Sequence, residues 1–371
     1  MKGFFQKLFG TNVDLTTLVS TLILTFFGLI LIYSATRNMD GTARYMLVQG
    51  GSVLIGLVAM ALLQKVDYDR FADLWKLFLG LGLFLLILVL FVGSGENIGS
   101  KSWIRLGPVG IQPGELVKIP YIIVLAHIID TFKQDINKLY AVSLLLLTFG
   151  VFTGLILLQP DAGTAMVYTF IFLGMLFLAG IDWRYLLCGF VAFLAATPLL
   201  WFFVLDTYQK NRILSFLSPN SGLTDAGYHV SQSKLLIGSG RFFGKGLFQG
   251  VQTQMGTLPE KQTDFIFAVL GEECGLIGCL GVMVLYAILI MRSLDTAKRS
   301  KDLFGSMLCI GVAMMFTFHV VENIGMCLGV LPVTGIPLPF LSYGGSSVIT
   351  SLLGIGLVLN VRSRTKPLEF I

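Results

Sequence analysis

Seven ionisable side chains lie within or at the edges of strongly apolar stretches: Glu115, Lys118, Asp161, Asp264, Glu272, Glu273 and Glu322. In "QPGELVKIP", Pro113 suits the first turn of a helix, Glu115 lies near the positive helix end, and Lys118 follows three residues on. The two could form an internal ion pair that only holds the helix, or face a substrate. In "LLQPDAGTA", Pro160 and Asp161 open another helix, where Asp161 could cap the first turn or offer a reactive carboxylate. "LPEKQTDFIFAVLGEECGLIG" puts Asp264 where a polar loop enters an apolar run. A carboxylate at that boundary is partly desolvated, which raises its proton affinity and makes it a better general base; the alternative is a helix cap, for which Thr263 and Asp264 are both suitable. Glu272 lies about 12 Å further along such a helix and about 80° around it, and Glu273 points to the opposite face. Neither can share proton chemistry with Asp264 directly, so both are expected to line and pair within a bundle.

The elements that position these residues follow from composition. Of 371 residues 55% are hydrophobic and 13% charged, against about 25% charged in soluble domains, so most of the chain must face lipid. An ionisable side chain in a bilayer helix costs at least ~2.5 kcal/mol, so each of the seven needs a partner, a wet cavity or a task. Apolar runs long enough, or nearly so, to cross the hydrocarbon occur near 15–33, 46–63, 74–92, 111–129, 139–158, 162–180, 185–205, 265–291, 303–330 and 347–361. Backbone groups in lipid must bond within their own segment, so each run reads as a helix. The expected fold is therefore all-α, a single polytopic domain over 1–371 of about ten transmembrane helices, with a long extracellular loop, 206–263, between the seventh and eighth. That loop carries Tyr208, Phe216, Tyr228, Phe242 and Phe248 among basic residues and is expected to hold short helices at the outer membrane surface. The "LPVTGIPLPFLSYGGSS" segment is irregular backbone that must be buried or line a wet cavity, and is expected to form a wall of the site.

Orientation follows from the basic residues. With the N-terminus inside, 15 of the 26 Lys and Arg fall in cytoplasmic segments; of the other eleven, six lie in the long loop, leaving five in short outer segments. Both termini are thus placed in the cytoplasm of a multi-pass plasma-membrane protein. "MKGFFQKLFG" reads as a short interfacial helix, and the run from Leu15 to Tyr33 as an uncleaved first span. The five cysteines show no disulfide or zinc spacing, and His127 and His319 read as helix-packing residues.

Together, "SWIRLGPVGIQPGELVKI", "LQPDAGTA", "QSKLLIGSG", "GKGLFQGVQTQMGTLPEKQTDFIFAVLGEE" and "ENIGMCLGVLPVTGIPLPFLSYGGSS" resemble the SEDS family (shape, elongation, division and sporulation proteins) in order and spacing, over about Tyr33 to Arg362. Two segments, "GVQTQMGTLPEKQTDFIF" and "NIGMCLGVLPVTGIPLPF", look more like its elongation member RodA than its division member FtsW. The resemblance implies a peptidoglycan glycosyltransferase that polymerises lipid II into glycan strands on the outer face of the membrane during cell elongation, releasing undecaprenyl diphosphate. It also implies a class B penicillin-binding protein as transpeptidase partner, alongside other elongation-complex membrane proteins; no nucleic-acid partner is expected. Asp264 stands where the family has its essential aspartate, and Glu115, Lys118, Asp161 and Arg212 match other sensitive positions.

On this reading Asp264 takes the proton from a sugar 4-hydroxyl. Arg105, Lys118, Arg212, Lys234 and Lys245 are candidate diphosphate contacts, since charge-assisted bonds to phosphate are strong. Lys234 and Lys245 could instead merely solvate the loop. Glu115, Asp161 and Asp264 could alternatively gather Mg²⁺, which prefers oxygen ligands; no His or Cys metal constellation exists. The rival readings are a lipid II flippase, which intramembrane charges and broken helices also mark, and a scaffold without chemistry. The clustering of polar motifs on one face, with no inverted repeat, favours the enzyme.

Overall fold

A computed structural model describes residues 14–93, 101–106, 109–199, 202, 210, 216 and 225–365. The N-terminal stretch expected to lie at the interface, Arg212, Tyr208 and much of the loop from Asp206 lie outside these residues.

The chain folds as the expected bundle. Among the described residues eight helices are long and apolar enough to cross a membrane: α1 (Leu15–Thr36), α2 (Thr42–Leu63), α4 (Trp75–Val92), α7 (Leu139–Leu157), α8 (Ala162–Ala179), α12 (Ile266–Arg299), α13 (Leu303–Leu328) and α14 (Gly345–Ser363). Shorter helices are α3 (Asp69–Asp73), α5 (Pro113–Leu116), α6 (Lys118–Thr131), α9 (Trp183–Leu199), α10 (Asp225–Ser239) and α11 (Val251–Met255). The helix ends are chemically marked. Asp14 and Asp302 accept hydrogen bonds from Thr16 N and Gly305 N at the starts of α1 and α13, and α8 and α13 end on Gly180 and Gly329 at φ 83° and 68°.

Two expected crossings take a different form. The seventh is the 17-residue α9. The fourth is preceded by a hairpin that ends on its first residue, Ile111: β1 (Ile104–Leu106) is paired antiparallel with β2 (Val109–Ile111), Arg105 lying opposite Gly110. Pro113 forces extended backbone on Gln112, which delays the helix. The chain then makes α5 and, after Val117, α6. Only 14 residues long, α6 is enclosed by α4, α7, α8, α13 and α14, and Lys118 through Ala126 are all buried. It is the bundle's axis and does not face lipid along most of its length.

The eighth span is broken. At Gly275 the backbone takes φ 65° and ψ −164°, a region open to glycine alone. The groups released by the break are taken by a neighbouring loop: Lys245 N and Gly246 N donate to the Glu272 and Glu273 carbonyls, and Leu276 N and Ile277 N donate to the Arg241 and Phe242 carbonyls. This pairing is what allows a discontinuity in an otherwise apolar helix.

At one end of the bundle the charges pair with each other: Arg292 with Asp14, Arg299 and Arg362 with Asp295, Lys301 with Asp69, and Arg364 with Asp67. The start of α1 and the end of α14 are therefore on the same face.

Candidate active site

The site is organised by the irregular segment between α13 and α14. Its carbonyls are satisfied by side chains from the surrounding helices, which is how non-helical backbone persists at membrane depth. Asn323 Nδ2 donates to Ile336 O, His319 lies 2.9 Å from Pro337 O, and Tyr286 donates its hydroxyl to Pro339 O. Gln49 of α2 grips the adjoining turn, donating to Ser342 O and accepting from Gly344 N. The segment is the expected wall, and it links carboxylates far apart in sequence.

Asp161 is the N-cap of α8. It accepts from Thr164 N at 3.0 Å and Thr164 Oγ1 at 2.9 Å, and from Gln112 Nε2 at 2.9 Å. Burial pushes its carboxyl up, opposed by these hydrogen bonds and aided by the nearby Glu115 charge. Two residues on, a Cβ at Gly163 would lie 2.9 Å from Thr334 O, so the start of α8 rests directly on the wall. Thr334 Oγ1 in turn donates to Glu322 at 2.7 Å.

Glu115 and Lys118 are the internal pair allowed by their spacing, at 2.5 Å, and the ammonium is wholly buried. Lys118 Nζ also lies 2.9 Å from His319 Nε2. Because His319 Nδ1 faces a carbonyl, the proton belongs on Nδ1 and Nε2 accepts from the ammonium. The Glu115, Lys118 and His319 triad thus hangs on Pro337, and Thr350 of α14 donates to Glu115 O.

Asp264 lies at the other side of the same wall and is only partly buried. Its carbonyl accepts from Asn323 Nδ2 at 2.8 Å, the amide that also holds Ile336. The N-cap position of α12 is Phe265, with no side-chain capping bond of its own, so Asp264 stands one residue before the helix cap. His229 of α10 stacks on Phe265 with ring centroids 6.1 Å apart.

The cationic candidates separate. Lys118 is sealed from solvent, and Lys245 is held by Glu272 at 2.6 Å. Arg105 stands exposed on the hairpin; Lys234 is exposed on α10, with the end of its side chain, Cε and Nζ, beside Gly329 at the end of α13. Arg212 lies outside the described residues. Glu272 is paired as expected, and Glu273 accepts from Ser34 of α1. Lys261, buried nearby, has its ammonium pushed down by desolvation, against the opposing pull of the Glu272 and Glu273 charges.

Glu115, Asp161 and Asp264 do not make a Mg²⁺ site. Among the described residues no group of three or more His, Cys, Asp or Glu could hold a metal ion. The oxygens of Glu115 and Asp161 already face an ammonium, an amide, a backbone N–H and a hydroxyl.

Sequence reasoning missed His319 as a partner of Lys118, along with Gln112 and Asn323. A signal was present: His319, Glu322 and Asn323 stand at i, i+3 and i+4 in an apolar run, one polar stripe on one helix face.

Known proteins match this arrangement along nearly the whole chain. The profile described as "Cell cycle protein", FtsW/RodA/SpoVE, matches residues 15–367. The peptidoglycan glycosyltransferase MrdB of Escherichia coli K12 is 36% identical over 370 residues, covering 99% of this chain and 97% of its own. A probable peptidoglycan glycosyltransferase FtsW of Geobacter sp. strain M18 is 38% identical, covering 95% and 97%. Among solved structures, the rod shape determining protein RodA of Thermus thermophilus superposes with a TM-score of 0.71 at 30% identity, over 96% of this chain and 98% of that one. A chain of a peptidoglycan synthase complex, described as coordinating polymerization and crosslinking, superposes with a TM-score of 0.80 at 33% identity, over 94% and 97%. With its polar wall, its internal charge triad and this agreement in sequence and shape, the chain belongs to the FtsW/RodA/SpoVE family.

Proposed function

We propose that this chain, a peptidoglycan glycosyltransferase of the RodA type, polymerises lipid II with Asp264 as general base. The observation that carries this is the placement of Asp264. It is only partly buried, stands one residue before the cap of α12, and is fixed through its carbonyl to the same Asn323 that holds the wall. An α-linked diphosphate donor becoming a β-1,4 bond requires one inversion, hence one direct displacement: the acceptor 4-hydroxyl attacks the anomeric carbon, its proton passes to Asp264, and the lipid diphosphate leaves. Arg105, Lys234 and Arg212 are assigned to the diphosphate. Lys118 and Lys245, paired with Glu115 and Glu272, act on the fold around it.

The outer face is assigned to the end of the bundle carrying Asp161 and Asp264, because the ion-paired opposite end gathers the basic residues that remain cytoplasmic. Both termini are then cytoplasmic. A class B penicillin-binding protein is the assigned transpeptidase partner, with other elongation-complex membrane proteins around the pair. Support comes from the relative solved within a complex that couples polymerization to crosslinking.

Asp264→Asn keeps the size and removes the proton acceptor. Polymerisation of lipid II by the purified protein should fall roughly 10²–10⁴-fold, with lipid II binding and melting temperature unchanged. More than about a tenth of the parent rate is too much for loss of a general base and overturns the assignment.

A further inference from the structure

The loop that carries Asp264 is anchored by a buried polar strut that the proposed chemistry does not use. Its hub is Thr253, the third residue of α11. That helix has Gly250 at its N-cap and no side-chain cap, so its first N–H groups need another acceptor. Glu272, wholly buried in α12, supplies it. One carboxylate oxygen accepts from Gln252 N at 3.0 Å and Lys245 Nζ at 2.6 Å, the other from Thr253 N at 2.8 Å and Thr253 Oγ1 at 2.7 Å. The remaining polar atom of Thr253, its carbonyl, is taken by the ammonium of Lys261. Lys261 is 3% exposed although it lies in the external loop.

Burying an ammonium is expensive unless it is paired and bonded, and here the result is a chain from Glu272 through Thr253 to Lys261. Around Lys261 the backbone makes a single tight turn. The Glu260 carbonyl accepts from Thr263 N, Asp264 N and Phe265 N, with Glu260 itself at φ 50°. Gln262 O accepts from Tyr343 N of the wall at 2.8 Å. Within so compact a turn, a shift at Lys261 must move Asp264.

We infer that Lys261 is a positioning residue for the glycosyl transfer, acting through the Glu272 and Thr253 strut to hold the Asp264 turn at the height of the wall. This rests on the assignment of Asp264 as base. The group itself touches neither sugar nor diphosphate, and its effect is on the alignment of another residue's proton transfer.

The test compares Lys261→Met, Lys261→Arg and Thr253→Val with the parent and with Asp264→Asn, in lipid II polymerisation by the full-length protein and in thermal melting. Misplacing a reacting group by about 1 Å costs up to roughly 10²-fold. Lys261→Met should therefore lower kcat about 10- to 100-fold while leaving KM near the parent value. Lys261→Arg, which can still donate to the Thr253 carbonyl, should recover most of the rate. Thr253→Val, which loses only the hydroxyl bond to Glu272, should lower kcat to a lesser degree with KM unchanged. A parent-like kcat in Lys261→Met or Thr253→Val overturns the inference, as does a rise in KM that accounts for the loss. Equal loss of rate in Met and Arg together with lower melting temperatures assigns Lys261 to packing and also overturns it. If Lys261→Met is unimpaired while Asp264→Asn is dead, only the strut fails; if Asp264→Asn is active, the base assignment itself fails.

Discussion

The Glu115 and Lys118 pair shows how one contact can be stabilising in place yet replaceable. Both groups are buried, and removing either partner strands a charge in a low-dielectric interior, a loss of about 3–5 kcal/mol, whereas removing both together is often nearly neutral. Glu115→Gln and Lys118→Met should each lower the melting temperature of the detergent-solubilised protein, and the double substitution should melt above the worse of the two. Additive losses would show that the residues do not act as a pair. Such a contact was legible in part: spacing gave the pair and its face, while His319, distant in sequence by 201 positions, became a partner only through the fold. The same holds for Asp161, whose capping role follows from Pro160 and Thr164 nearby, but whose bond to Gln112 needs the hairpin to deliver that side chain.

At the scale of elements, the discontinuity in α12 is the feature most dependent on a single residue type. A Cβ on Gly275 would lie 2.3 Å from Gly244 N and 2.7 Å from the Phe242 carbonyl carbon, in a backbone conformation that L side chains rarely adopt. Six residues further along, a Cβ on Gly281 meets nothing within 4 Å. Gly275→Ala should therefore destabilise the protein strongly and lower polymerisation, whereas Gly281→Ala should be neutral or slightly stabilising in thermal melting. Comparable melting curves for the two would mean that the break is not needed. Hydropathy placed this helix correctly but read it as continuous, because glycine is also common in unbroken membrane helices and Gly275 carries no local mark. The β-hairpin was missed for a related reason. Its strands are three residues each, too short for alternation to stand out beside the apolar run directly after them.

Across the whole molecule, apolar content and the length of each apolar run recovered the bundle, because these are set by the solvent and not by specific partners. The short axial helix α6 carries a further implication for biogenesis. Preceded by Glu115 and containing Lys118, Pro120 and Asp130 in a run of only 14 helical residues, it lacks the means to partition into lipid unaided, since a crossing needs about 20 consecutive, predominantly apolar residues. During synthesis it must wait at the translocon until α4 and α7 can shield it. Residues 111–131 alone, flanked by glycosylation acceptor sites in a microsomal translation assay, should fail to span the membrane, whereas residues 69–158 should insert with the axial helix across it. Acceptor sites near Ser231 and Lys298 in the full chain should be modified and unmodified respectively, reporting the same topology. Efficient insertion of the isolated segment would show that the axis enters first and the bundle closes around it; failure would make its threading a cooperative, late step, sensitive to substitutions in neighbouring helices that never touch a substrate.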